Sequence, residues 1–271
     1  MKNRLVFLGF MLHLFLNTLS AQTTLYQERF PNGNPELTWI TGDGVSELRT
    51  TTLSNNPSGD GTAGYVTGQA AVGGTGQILS GVPTLRDYRI EARVLMSRNA
   101  SAGSGTNNGI LGRVVPIDQN LKGYVLASDF DSNNRLRLRK FTGVGGGAPP
   151  VVIRDWPAAE VPGGIPSASG WHKLALEFSG SQINAYYDDQ LLPGSPFTDA
   201  EADSGYFGTY CFTGFDTQND SATFFDDVLV TAQTTAVNEN PSAATPQAFQ
   251  LLQNYPNPFN PATVMILRTQ N

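Results

Sequence analysis

The sequence predicts an all-β protein, and three observations carry that expectation. From Thr24 to about Thr231 no stretch shows a helical repeat of apolar residues. Short alternating or apolar runs recur instead, separated by Gly, Pro, Asn and Asp. Glycine (29) and proline (17) make up about 17% of the 271 residues, against an average nearer ~12%, which favours many turns over long helices. The third observation is a hairpin, Trp171 to Leu192 (WHKLALEFSGSQINAYYDDQLL). In its first arm His172, Leu174, Leu176 and Phe178 share one face and Trp171, Lys173, Ala175 and Glu177 the other, the period of a half-buried strand. Ser179-Gly180-Ser181 supplies the turn, and Ile183, Ala185 and Tyr187 then alternate with Gln182, Asn184 and Tyr186. Asp188-Asp189 ends the second arm, because short acidic side chains cap turns.

In chain order, residues 1–21 stand apart from the fold. Lys2 and Arg4 precede the twelve-residue apolar run Leu5 to Leu16, and Asn17 to Gln22 turns polar and small, the layout of a secretory signal peptide. Cleavage after Ser20 puts small residues, Thr18 and Ser20, at both specificity positions, whereas cleavage after Ala21 puts Leu19 at the outer one; a retained anchor would need a longer apolar run. The predicted strands are Leu25–Phe30, Tyr65–Gly68, Tyr88–Met96, Gly109–Val115, Gly123–Phe130, Arg135–Phe141, Val151–Asp155, the hairpin, Tyr206–Phe212 and Ala222–Val230. About ten strands with turn signals between them imply a sandwich or barrel. Ser97–Asn108 and Gly143–Pro150 have little to bury and are expected to be exposed, mobile loops. After the predicted domain (22–231), residues 232–248 read as a polar linker.

Loss of Lys2 and Arg4 with the leader takes the net charge from −6 to −8. An acidic exported chain is a poor partner for nucleic acid, whose affinity comes largely from Lys and Arg on phosphates. No second apolar run is long enough for a transmembrane anchor. Cys211 is the only cysteine, so no disulfide can form within the chain, and about 200 residues must be held by their core alone.

The order of features resembles the concanavalin A-like jelly-roll superfamily, particularly its laminin G-like bacterial members. The resemblance rests on Glu28-Arg29-Phe30, Trp39, YRIEARV (88–94), GYVLASDF (123–130), the arginine-rich strand, the Gly-Trp-His hairpin, Gly205-Tyr206-Phe207-Gly208 and FFDDVLV (224–230). Asp189-Gln190 stands where Asp-Gly is usual. The resemblance implies an antiparallel two-sheet jelly-roll sandwich; its motifs are structural and imply no reaction. The tail, FQLLQNYPNPFNPATVMILRTQN (249–271), resembles the opening of the C-terminal sorting domain of the type IX secretion system. Its prolines hold the run extended, and Val264-Met265-Ile266-Leu267 would be a first strand. The remainder of that module is missing, and one strand cannot bury a face, so the tail is expected to be disordered. A Pro/Asn linker is the plain alternative. A complete tail implies the secretion machinery as a partner and a secreted or cell-surface location in a Gram-negative bacterium; a truncated one implies the periplasm.

Candidate chemistry is sparse. His172, the only histidine outside the leader, is expected to be scaffold, and no paired-histidine spacing for zinc exists. Asp129-Phe130-Asp131-Ser132-Asn133 has calcium-loop spacing, but Asn134 replaces the glycine and Lys140 the final chelator, so a hairpin turn is expected there. The jelly-roll resemblance implies a structural calcium between first and last strands, at Glu28 and Asp226 with Asp227 as the alternative. Arg135, Arg137 and Arg139 line one face of a strand; their forks suit carboxylate or sulfate, and the ordinary explanation is a polar sheet face. Trp39, Trp156, Tyr124, Tyr186 and Tyr187 are candidates for stacking on sugar, while Trp171 is expected in the core. The binding set is therefore Arg135, Arg137, Arg139, Tyr124 and Trp156, on an expected concave sheet facing an extracellular glycan. The leading function is non-catalytic carbohydrate recognition or adhesion. The alternative is a glycan hydrolase with an unrecognised carboxylate pair such as Glu91 with Glu177; the clustered acids of jelly-roll glucanases are absent, Glu201-Ala202-Asp203 matching only their first half. A structural passenger is the third reading.

Overall fold

Alternation in the sequence becomes alternation in burial. Along Tyr88–Met96 the residues Tyr88, Ile90, Ala92, Val94 and Met96 are buried, while those between them stay half-exposed on the other face. The computed structural model describes residues 22–233 except 54, 69–73, 97–106, 118–119, 144–149 and 213–221. The predicted leader, linker and sorting tail, and most of the two predicted mobile loops, lie outside the described residues.

The strands are β1 (Thr24–Glu28), β2 (Ile40–Thr41), β3 (Arg49–Thr52), β4 (Thr62–Thr67), β5 (Thr75–Ser80), β6 (Tyr88–Met96), β7 (Asn107–Ile117) and β8 (Asn120–Asp129). They continue as β9 (Arg135–Thr142), β10 (Val151–Pro157), β11 (Gly170–Ser179), β12 (Gln182–Tyr187), β13 (Gln190–Leu191), β14 (Phe197–Thr198), β15 (Tyr206–Phe212) and β16 (Ala222–Ala232). One helical turn, α1 (Phe130–Asn133), joins β8 to β9 where the sequence predicts a turn, and Asn134 closes it in the left-handed region. The hairpin β11–β12 pairs Ser179 with Gln182, leaving a two-residue loop whose first position, Gly180, has φ +54° as such loops require.

Two antiparallel sheets result. One runs β13-β12-β11-β6-β16-β4-β3, with β1 added on β16 and β14 on β12; the other runs β10-β9-β8-β7-β15-β5-β2. Their facing surfaces form the main core, in which Phe30 packs edge-on to Phe225 (5.3 Å) and Phe178 lies between Tyr88 (5.2 Å) and Tyr124 (5.8 Å). The protein is an all-β, two-sheet antiparallel jelly-roll sandwich.

β7 carries an irregularity that ties the end of the sandwich together. Its register with β8 shifts between Gly112 and Val115, and Arg113 adopts φ +48°. The Arg113 guanidinium, 1% exposed, donates to the carbonyls of Arg86 (2.9 Å), Gly180 (2.7 Å) and Ala202 (3.4 Å) and to Asp87 Oδ1 (3.2 Å). It thereby joins three separate loops.

Candidate functional site

The seven-stranded sheet has a second buried surface on the face turned away from the core. Leu79, Leu111, Val114, Leu121, Val125, Ala127 and Tyr210 form a cluster separate from the main core, with Phe141, Tyr206 and Phe212 packed against it. An outward sheet face would ordinarily be wet. Here Tyr210 (2%), Asn107 (4%), Gln77 (6%) and Arg139 (7%) are nearly inaccessible, so polar groups sit in a sheltered setting.

Register explains the shape of this face. One row across the sheet reads Asp155, Arg137, Ala127, Gly109, Tyr210 and Gln77. Its ends are polar or aromatic and its middle is small, and both Ala127 and Gly109 are buried. Gly109 is required there, since a Cβ on it would come within 2.6 Å of that of Ala127. The next row, Val152, Arg139, Val125, Leu111, Gly208 and Leu79, forms an apolar wall with Arg139 near one end.

The three arginines of β9 share the outward face, as their spacing predicts, but differ in pairing. Arg135 reaches Asp129 (3.2 Å) and Asp155 (2.8 Å), and Arg137 reaches the same two carboxylates (3.1 and 3.0 Å). Two cations and two anions thus form a neutral square. Among the described residues Arg139 pairs with no carboxylate; its Nη2 donates to Asn107 Oδ1 (2.8 Å) and its guanidinium lies 5.8 Å from the Tyr210 ring. Asp129, part of the calcium-loop spacing, accepts from Asn133, Arg135 and Arg137, so it serves the turn and the square.

The aromatic candidates lie elsewhere. Tyr124 and Trp156 are fully buried on the core side: the Tyr124 hydroxyl donates to Asp199 Oδ1 (2.8 Å) and the Trp156 indole to the Pro193 carbonyl (2.9 Å). Neither presents a ring to solvent, and the aromatics that line the outward face are Tyr206, Tyr210, Phe212 and Phe141. Trp39 borders a pocket of about 420 Å³ with Leu37, Ile40 and Leu48, but its ring packs on Phe207 and Phe225. Trp171, expected in the core, pairs with Leu95 and is only half-buried. His172 stacks on Tyr187 (5.2 Å) and contacts Asp188 through Nδ1 (2.8 Å), a scaffold arrangement at the end of the hairpin.

The implied calcium ligands are surrounded by donors. Glu28 is fully buried and accepts from the backbone N–H groups of Phe30 (2.9 Å), Glu36 (2.9 Å) and Leu37 (2.9 Å) and from the Trp39 indole (3.1 Å). Asp226, also fully buried, accepts from Asn56 Nδ2 (2.9 Å) and from the N–H groups of Ser58 and Asp227. Burial pushes the carboxyls of Asp226 and Asp227 above the usual range. Calcium needs six to eight oxygens, and N–H groups aimed at a carboxylate present the wrong end of the dipole to a cation. Among the described residues no group of three or more His, Cys, Asp or Glu gathers as a metal site. As placed, Glu28 does not fit a calcium ion.

Glu91 and Glu177, far apart in sequence, meet on the outward face of the nine-stranded sheet. Both pair with Arg89, at 3.1 and 3.6 Å, and Arg89 also covers the Tyr186 ring at 4.2 Å. A shared counter-ion on a sheet face is a structural network, not a cleft with separated acid and base roles.

A second clip closes the loop after β14. Lys140 pairs with Asp199 and Glu201, both at 2.7 Å. Burial alone would raise the Asp199 carboxyl, but Lys140, the Glu201 N–H and the Tyr124 hydroxyl hold it below the usual range. A folded pKa below the unfolded one contributes stability that is complete above about pH 4–5 and lost as pH falls through the folded value. Asp199→Asn is therefore expected to lower the melting temperature at pH 7 and to converge with the parent protein by about pH 2. A gap independent of pH in thermal scans would overturn this assignment.

Fold and site together define a jelly-roll module with a sheltered aromatic and polar face on one sheet. The chain matches no described protein family and no curated protein. Among solved structures it is similar to the carbohydrate-binding module CBM66 from Bacillus subtilis, at 19% identity and TM-score 0.49, over 73% of this chain and 98% of that one. It is also similar to a carbohydrate esterase from Shiga toxin-encoding bacteriophage phi24B (15%, TM-score 0.48, 79% and 100%). A third is the lumenal domain of VIP36 in its calcium- and Man2-bound form (10%, TM-score 0.49, 81% and 91%).

Proposed function

We propose that this protein is an exported, non-catalytic module that recognises carbohydrate through the outward face of its seven-stranded sheet. The observation that supports this reading is a set of partly exposed rings and charged groups on that face: Tyr206, Phe212 and Phe141 are half-buried there, beside Arg135, Arg137 and Asp155. Sugars offer an apolar ring face and a rim of hydroxyls, and such a mixture meets both. The laminin G-like resemblance agrees with the reading, and the signal-peptide layout of residues 1–21 would take the module out of the cytoplasm. Among the described residues no helix is long and apolar enough to cross a membrane. The test is a polysaccharide array probed with the full chain, together with fractionation of the native cell. Binding to at least one polysaccharide and recovery outside the cytoplasm are expected. An array without signal would sink the glycan reading, and a cytoplasmic pool alone would sink export.

A further inference from the structure

Both sheets stop at the pocket that Trp39 borders. β2 is the last strand of the seven-stranded sheet and β3 the last of the nine-stranded one, and β3 begins directly after Leu48. The pocket, about 420 Å³ in volume, is walled by Leu37, Trp39, Thr41, Leu48 and Ile78, with Glu47 the one charged residue in its lining. Its walls are continuous with the main core: Ile78 belongs to that core, and Leu37, Trp39 and Leu48 pack against it. The two hydroxyls of the lining already donate to Asp43, Thr41 Oγ1 to Oδ1 (3.0 Å) and Ser46 Oγ to Oδ2 (2.5 Å). Glu47 is exposed, and among the described residues it pairs with no cation. The open edge of β2 adds main-chain groups. The Gly42 N–H donates to the Gln77 carbonyl (2.9 Å) and the Thr38 carbonyl accepts from Ser80 Oγ (2.9 Å), so Thr38, Ile40 and Gly42 turn their main-chain groups toward β5. Alternation turns those of Trp39 and Thr41 the other way, to the side where no further strand follows.

We propose that this edge binds an extended peptide segment of a partner protein. The segment adds as a strand beside β2, lays an apolar side chain in the pocket and sets a lysine or arginine on Glu47. Each part of the surface selects a part of that occupant. An unpaired strand edge is a template for another extended chain, whose main chain supplies affinity and whose alternate side chains supply specificity. Trp39 and Thr41 offer that template, and the pocket lies on the side of β2 that faces the core, since Thr41 stands opposite Ile78. Side chains two positions apart on a strand share a face, so an apolar residue in the pocket brings its second neighbour to the same side as Glu47. An apolar cavity of this volume with a single charged group suits a side chain, and the charge of that group makes the neighbour basic. The net charge of the chain, −6, attracts a basic partner at longer range. The inference stands apart from the glycan reading, which concerns the opposite surface of the seven-stranded sheet.

The test is an array of immobilised pentapeptides of the form Thr-X-Thr-Z-Thr, with X and Z each running through every amino acid, probed with the full chain. Signal is expected where X is a large aliphatic or aromatic residue, raised roughly 2- to 5-fold where Z is lysine or arginine, the range of an exposed ion pair. Glu47→Lys changes an exposed side chain outside the core and is expected to move that preference to acidic Z. N-methylation of successive amides in the strongest peptide is expected to abolish binding at alternate positions, those that face β2. In the parent protein, amide exchange at Thr41 is expected to slow when the unmethylated peptide is bound. A preference for basic Z that survives Glu47→Lys, binding that N-methylation nowhere reduces, or an array without signal overturns the strand site. None of these outcomes bears on the glycan face, which polysaccharide binding tests separately.

Discussion

Replacing Arg113 by methionine is expected to lower stability by about 3–5 kcal/mol, the cost of removing one member of a buried charged network. The side chain is 1% exposed and meets four acceptors from three loops, while its guanidinium lies 4.8 Å from the centre of the Phe178 ring. Methionine fills much of the volume but satisfies none of the acceptors, and the Gly180 and Arg86 carbonyls lose a charged donor. For a domain of this size, 1 kcal/mol moves the melting temperature by about 2–4 °C, so a drop of roughly 10 °C is expected in calorimetric scans. Arg113→Lys should recover only part of it, because a single ammonium cannot reach acceptors spread around a planar fork. A drop smaller than about 2 °C for the methionine variant would show that the three loops are held by other contacts.

Arg113 also shows what the sequence could and could not say. Two strands were legible to the residue, Tyr88–Met96 through its strict alternation and Tyr206–Phe212 through its aromatic run after a glycine. β5 was missed because Gly76 to Ser80 are buried on both faces, which removes the alternation that marks a strand. β3 was missed because Arg49–Thr52 is short and polar. Arg113 sits inside a predicted strand, and nothing local signals that it takes a left-handed backbone at a bulge and turns into the end of the sandwich. Tyr124 failed as a stacking platform for a related reason: Gly123 to Asp129 is buried throughout, so the parity of its side chains could not be read. The arginine face, by contrast, followed directly from Leu136 and Leu138 pointing inward. Its distribution of charge did not, because Asp155 and Asn107 come from other strands and only register brings them opposite.

Glu28 is where the resemblance and the geometry part, and the two accounts differ in a measurable way. If Glu28 anchors the segment from Phe30 to Trp39, its removal strands four donors: three backbone N–H groups and one indole N–H. Glu28→Ala is then expected to cost about 3–4 kcal/mol, from roughly 1 kcal/mol or slightly less for each partly buried donor left unmade, and to lower the melting temperature by roughly 10 °C. Glu28→Gln keeps the shape and one acceptor oxygen, which in the place of Oε2 still serves Glu36, Leu37 and Trp39 while the NH2 group faces the Phe30 N–H, so it should lose only part of that stability. Neither loss should depend on calcium, because the carboxylate oxygens are engaged by N–H groups. A calcium ligand behaves otherwise: binding to the folded state alone raises the melting temperature of the parent protein with calcium concentration, and both variants would lose that increment. Melting temperatures of parent and variants in millimolar calcium and in chelator therefore decide the matter. Equal values in the two media, with the full loss present in both, identify Glu28 as the anchor of its loop; a calcium-dependent rise in the parent protein that the variants lack would return it to a metal site.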